Sequence, residues 1–317
     1  MNEFLAGLFN LEQFETLQPV MNAVFNHTDQ MGYRFDWKEL ILGLATPLFL
    51  AAFFIEMYVL RARPHIFKLK ETLCNFGLGF SYQGVEVVLH FLFIGAFMHF
   101  LSGFSVLTLE MDFVTVLFGF LLVEFLYYWY HRANHRIRYL WCSHVVHHSS
   151  EGMNLSTATR QSMTYAISGG VIFFFSPLIF LGYPPELVMS LYALDLFYQY
   201  FVHTQAVGKL HPWIEYFFVT PSHHRVHHGR NPQYIDRNYG GVVIIFDRIF
   251  GTFVEEDPIN NPVDFGIVNQ IHTNNIFKIN AHEWIDMFRD IAQPGKLSRR
   301  LKHLWAPPEW KRGDSSD

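Results

Sequence analysis

Three histidine clusters carry the chemistry of this sequence. Of its 18 histidines, eleven fall from His131 to His228. His131-Arg-Ala-Asn-His135 is an H-x3-H box, and His144-Val-Val-His147-His148 is an H-x2-H-H box. His224-Arg-Val-His227-His228 repeats the second spacing. Residues at i, i+3 and i+4 share a helix face, so each box is expected to aim two or three imidazoles in one direction. Neutral imidazole is the commonest side-chain metal ligand, with its second ring nitrogen fixed by an outer partner. Eight or nine such rings are too many for one ion. Two ions with four or five ligands each is the natural count.

The ninth ring is His203, which ends an apolar segment where the chain leaves it. Gln199, four residues earlier on the same face, reads as packing or as an outer donor. His223 neighbours His224 but breaks the register, which puts it in an outer or unassigned place. His27, His65, His90, His99, His211, His272, His282 and His303 lie outside the boxes and are not expected to bind metal. Imidazole suits iron, zinc, copper and nickel alike, so ligand type alone does not choose the metal. Catalytic zinc sites usually need three protein ligands and one ion, not three boxes. No H-E-x-x-H helix is present, which excludes an ordinary metalloprotease.

The elements that must position these boxes are apolar. Half the residues are hydrophobic, 18% are aromatic and only 16% are charged; soluble domains carry about 25% charged residues. Candidate membrane segments run over 40–60, 72–109, 112–130, 161–185 and 187–202. A span needs about 20 apolar residues. Glu56, Glu86, Glu124 and Asp195 interrupt them. Ionisable groups at such depth are costly, so the last three are expected in inter-helix bonds or a substrate channel. Arg61, Arg63, Lys68 and Lys70 follow the first segment, and Arg132, Arg136 and Arg138 follow the third. Basic residues mark the cytoplasmic side, which places the histidine boxes there. The expectation is an all-α, multi-pass transmembrane bundle of about four to five segments with a cytosolic, histidine-rich di-metal cap.

Three regions follow from this reading: 1–111 with the first membrane segments, 112–255 with the metal boxes, and 256–317 as a polar cytosolic tail. Residues 1–20 lack a basic n-region and include Glu3, Glu12 and Glu15, so they do not read as a signal peptide. Leu5, Leu8 and Phe9 could lie on an interface. Val242–Ile245 is the one β-like run of note. Cys74 and Cys142 are expected as free thiols. The net charge of −5 and the lack of a basic stripe exclude nucleic acid as a partner.

At these boxes the sequence resembles the fatty acid hydroxylase/sterol desaturase superfamily, over roughly residues 112–255. The resemblance rests on the ordered boxes, the apolar hairpin between them, and Asn238-Tyr-Gly-Gly241 leading to Asp247-Arg-Ile-Phe-Gly-Thr-Phe253. Within the superfamily it is similar to the alkylglycerol monooxygenase branch. The shared stretches are His147-His-Ser-Ser-Glu151, Asn154-Leu-Ser-Thr-Ala158, Arg160-Gln-Ser162 and Pro221-Ser-His-His-Arg-Val-His-His-Gly-Arg-Asn231.

The resemblance implies two iron ions held by His131, His135, His144, His147, His148, His224, His227 and His228, with His203 matching the family's extra histidine. It also implies cytosolic helices over a short membrane bundle, and a lipid tail reaching the metals. The implied reaction is hydroxylation of a lipid C–H bond with O₂ and two electrons from an external donor, an electron-donor protein. Desaturation and glyceryl-ether oxidation are the neighbouring reactions. Where the animal alkylglycerol enzyme has a glutamate after the second box histidine, this chain has Arg136, so the resemblance does not carry over the pterin that enzyme uses. Arg132, Arg136, Arg138 and Arg225 could form a docking face for an acidic carrier, or serve only as positive-inside anchors. A metal transporter is the non-enzyme alternative. It should place ligands near the bilayer midplane, whereas these sit at helix ends.

Overall fold

The computed structural model describes residues 36–312. Leu5, Leu8, Phe9 and His27 lie outside the described residues. Helix α1 spans Trp37–Val59, and its N-cap Asp36 accepts from the Glu39 N–H at 3.1 Å. Helix α2, Leu69–Leu89, continues through a π-turn at His90–Ile94 into α3, Gly95–Ser102. The segment that could have been one long helix or a helix plus a re-entrant piece is therefore one helical run with a π-turn inside it. Helix α4 covers Phe113–Arg136, opened by the Asp112 carboxylate accepting from Thr115 N–H at 2.8 Å. The chain extends at Ile137 and resumes as α5, Arg138–His148.

Among the described residues, three helical stretches are long and apolar enough to cross a membrane: Trp37–Val59, Pro64–Ser102 and Phe113–Arg136. Their outer faces are greasy, with Leu44 and Phe80 each 75% exposed. Apolar surface on that scale suits lipid rather than water.

The segment over 161–185, expected as the clearest span, forms only the 12-residue helix α6, Gly170–Leu181. Gly169 sits in the left-handed region at φ +70° and ends the preceding turn. Residues 161–164 are held in a polar network instead, in which Ser162 Oγ donates to Asn280 Oδ1 at 3.0 Å. Twelve residues reach about 18 Å, well short of the ~30 Å hydrocarbon core. Helix α7, Pro185–Val202, runs back and is largely buried, with Asp195 fully covered. It is a central helix wrapped by protein rather than a lipid-facing one.

The main core lies between α4, α6 and α7. Val123, Tyr127, Phe175, Leu178, Ile179 and Val188 are buried there. The described part of the 256–317 stretch, to residue 312, carries a helix that packs on the metal-box region. Its helix α9, Ile276–Ala292, packs on α5, where Ile279 and Val146 meet Cys74 and Leu78. Cys74 and Cys142 are free and buried. The β-like run makes one isolated bridge, Phe218 with Val243, and turns helical at Ile245. Glu124 explains why no strand follows: its Oε2 accepts the N–H groups of Val242 (2.8 Å) and Val243 (3.1 Å).

Candidate metal centre

The last turns of α4 and α7 and the whole of α5 converge with α8, Pro221–His227. All nine sequence-predicted rings meet there, in two groups. One holds His131, His135, His144, His148 and His227; the other holds His147, His203, His224 and His228. Within each group the ligand nitrogens lie within 4.8 Å of one another, and every ring is buried. The groups adjoin, since the His148 and His228 rings stack at 4.4 Å.

The boxes do not each point one way, as expected. His144 and His148 enter the five-ring group, while His147 crosses to the four-ring group. His224 and His228 enter the four-ring group, and His227 crosses back. Helical geometry explains the exchange. At about 100° per residue, i and i+4 diverge by only about 40°, whereas i+3 and i+4 diverge by about 100°. Two antiparallel-facing boxes can therefore each give a pair to one centre and a single ring to the other.

Six of the outer nitrogens are tethered. Backbone carbonyls of Tyr239, Arg160, Gln199 and Arg237 accept from Nδ1 of His131 (2.8 Å), His147 (3.2 Å), His203 (2.7 Å) and His227 (2.9 Å). Tyr165 Oη meets His144 Nδ1, and Asp236 Oδ1 lies 3.4 Å from His135 Nδ1. A carbonyl can only accept, so those rings carry their proton on Nδ1 and turn an Nε2 lone pair inward. His203 and His147 then set lone pair against lone pair at 3.2 Å, which no hydrogen bond satisfies. Nε2 of His135 and of His227 is buried without a hydrogen-bond partner. Converging imidazole nitrogens, at least four of them with the lone pair fixed inward, are what a cation requires, so the donor set fits a metal.

Burial, reinforced by neighbouring imidazoles, holds His144, His148, His224 and His228 well below the ordinary histidine value. Burial pushes His203 down to about 4. These rings are neutral at physiological pH and ready to ligate.

His223 faces away: its Nε2 is 2.8 Å from Glu215 Oε2, and its Nδ1 accepts from Thr220 N–H at 3.4 Å, so it caps α8. The Gln199 side chain accepts from Tyr127 Oη (2.9 Å) and donates to Asp195 (2.7 Å), while its carbonyl holds His203. Glu124 thus ties α4 to the Val242–Val243 backbone, Asp195 accepts from Gln199 within α7, and Glu86 lines a cavity.

The arginine docking face does not form as expected. Arg138 is 3% exposed and paired with Glu283 (2.8 Å) and Asp290 (2.6 Å); Arg225 is 8% exposed and bonded to Glu256. Arg136 pairs with Asp236 and, at 3.1 Å, with Glu309.

Three supporting residues went unassigned in the sequence. Asp236 sits at φ +60°, uncommon for a non-glycine residue, and joins Arg136 to His135. Fully buried Arg160 donates to Val146 O (2.9 Å) and Asn75 Oδ1 (2.9 Å) while its carbonyl holds His147. Asp247 accepts from Tyr239 and Gly240 N–H (2.7 and 2.8 Å), which explains the Asn-Tyr-Gly-Gly stretch and its distant aspartate. A Cβ at Gly241 would collide with the Asp195 carboxylate. Arg160 and Tyr239 lay in motifs visible in sequence; Asp236 left no signal there.

A cavity of about 240 Å³ opens onto the centre. His131, His144, His147, His203 and His224 form one end, and Leu42, Phe49, Leu50, Phe76 and Phe80 from α1 and α2 form its sides.

Helices long and apolar enough to cross a membrane, together with two buried all-imidazole groups that suit a metal, mark a protein of the histidine-box class. Residues 116–252 match the fatty acid hydroxylase family model. The chain is 36% identical over 273 residues to an alkylglycerol monooxygenase from Danio rerio, covering 85% of this chain and 59% of that protein. Against the alkylglycerol monooxygenase of Homo sapiens it is 34% identical, covering 85% and 60%. Against an ornithine lipid hydroxylase from Rhizobium tropici it is 29% identical over 159 residues, covering 49% and 46%. The chain thus spans about 60% of the length of these alkylglycerol monooxygenases. No solved structure matches it.

Proposed function

We propose that this chain is a membrane di-iron oxidoreductase that hydroxylates a lipid C–H bond. One O₂, two electrons and two protons convert R–H to R–OH and water. An external protein supplies the electrons, and the histidine boxes face the cytoplasm, as the basic residues after α1 and around Arg132–Arg138 suggest. Two irons, one per histidine group, would supply the oxygen activation when bound. The observation that carries this reading is the pair of imidazole groups at the closed end of an apolar cavity.

The chain's own residues do the rest. Nε2 atoms hold the ions, and the Nδ1 tethers keep six of the rings, those of His131, His135, His144, His147, His203 and His227, from rotating. Apolar walls exclude water, which protects a reactive oxidant and strengthens electrostatics inside. The exposed faces of α1 and α2 let a lipid reach the cavity from the bilayer.

The test is metal analysis with product mass spectrometry on protein reconstituted with a chemical reductant. About two irons per chain and a product heavier by one oxygen support the reading. A product lighter by two hydrogens means desaturation. Metal uptake into vesicles without O₂ consumption means transport. A second reading, favoured by 36% identity over most of the chain, makes an alkylglycerol the substrate. Oxygen inserted beside an ether oxygen gives a hemiacetal, which collapses to an aldehyde and glycerol, so release of a fatty aldehyde identifies it.

A further inference from the structure

The cavity has a second polar place, away from the metals. Glu39, Tyr82, Gln83 and Glu86 line it, and Lys38 stands behind them. Lys38 is 1% exposed, Glu39 7% and Glu86 5%. Lys38 Nζ donates to Tyr82 Oη at 2.8 Å and lies 3.1 Å from Glu39 Oε1 and 3.3 Å from Glu86 Oε2. Its three donors are thereby used. Glu39 Oε1 thus has only the Lys38 ammonium beside it, and Glu39 Oε2 is buried with no hydrogen-bond partner, although the side chain is more than nine-tenths buried. Tyr82 Oη accepts from Lys38, which leaves its own proton free to donate.

Leaving a buried carboxylate unsatisfied is costly. A ligand removes that cost if it donates to Glu39 while accepting from Tyr82. A hydroxyl does both. An ammonium offers only donors and meets Lys38; a carboxylate or phosphate meets Glu39 and Glu86. We infer that Glu39 and Tyr82, backed by Lys38 and Glu86, form a subsite for the hydroxyl of an uncharged lipid alcohol. The Tyr82 and Tyr165 rings, 6.1 Å apart, separate this subsite from His144. A lipid anchored there presents to the metals a carbon several bonds from its hydroxyl. The proposal rests on the lipid-hydroxylase reading for what happens to that carbon, but not for the binding itself.

The test is equilibrium binding to the metal-loaded full chain in nanodiscs, with hexadecanol, its methyl ether, hexadecylammonium and hexadecanoate as probes. Hexadecanol is expected to bind about tenfold tighter than the methyl ether, and tighter than either charged probe. Glu39→Gln should cut that preference to under about threefold with metal content unchanged. If Glu39→Gln protein fails to accumulate, Glu86→Gln is read in its place, with the same loss expected. Equal binding of alcohol and ether, tighter binding of a charged probe, or a preference that survives the substitution overturns the subsite. Alcohol preference without any oxygenated product would leave the subsite standing and sink the hydroxylase reading instead.

Discussion

The two histidine groups are built differently. The five-ring group draws four ligands from α4 and α5, which are separated only by the bend at Ile137. The four-ring group draws one ring each from α5 and α7, and two from α8 and its C-cap. Its geometry therefore depends on three elements docking correctly across long sequence separations. Its tethers are backbone carbonyls at Gln199 and Arg160, whereas the five-ring group also has the Asp236 carboxylate beside His135. One group is set mostly by local helix geometry, the other mostly by tertiary packing. The second should be the easier to empty.

Loss of a shared-helix ligand gives the largest effect. His148→Ala, in the middle of both groups' contacts, should lower product formation more than about 100-fold, beyond the 10–100-fold typical of an outer partner. Bound metal should drop to one ion or fewer, by elemental analysis. His203→Ala sharpens the comparison: the four-ring group empties and one ion remains in the other. Equal loss from both groups would break it. Asp236→Asn should weaken only the five-ring group, by about tenfold in a chelator competition.

Neighbouring residues give the subtler tests. His223→Ala should keep both metals, because that ring caps α8 and bonds Glu215. It should cost about 1–2 kcal/mol in thermal or denaturant unfolding; metal loss there would place the ring in the centre after all. The smallest effect concerns acid. Burial alone would raise the Glu215 carboxyl, but bonds from His223, Leu210 N–H and Ser222 bring it from 4.5 to about 2. Glu215 therefore contributes stability above pH 4.5 that is lost as pH falls towards 2. Glu215→Gln should flatten acid unfolding across that window, read by circular dichroism.

Much of the centre was legible in sequence because its ligands come in helical spacing. All nine rings carried that signature or, for His203, a position at the end of an apolar segment. The supporting shell was less legible. The carbonyls of Gln199, Arg160 and Arg237 act through backbone position, which side-chain identity does not encode, and the Asp236 carboxylate reaches His135 from a positive-φ turn that no spacing marks. The 161–185 stretch misled for a similar reason. Its lack of charge read as a span, while Gly169 and the hydroxyls of Ser162 and Thr164 divide it into a bonded loop and a short helix.

By itself the sequence determined the all-helical, apolar character of the chain and which histidines would gather. Both are local matters of side-chain chemistry and of a 3.6-residue repeat. Only the tertiary structure decided how the boxes divide, with His147 and His227 crossing between groups. That division depends on how two helices face each other. It likewise set Lys38, Glu39 and Glu86 against the cavity, since 48 residues separate Lys38 from Glu86 along the chain and only the packing of α1 on α2 joins them.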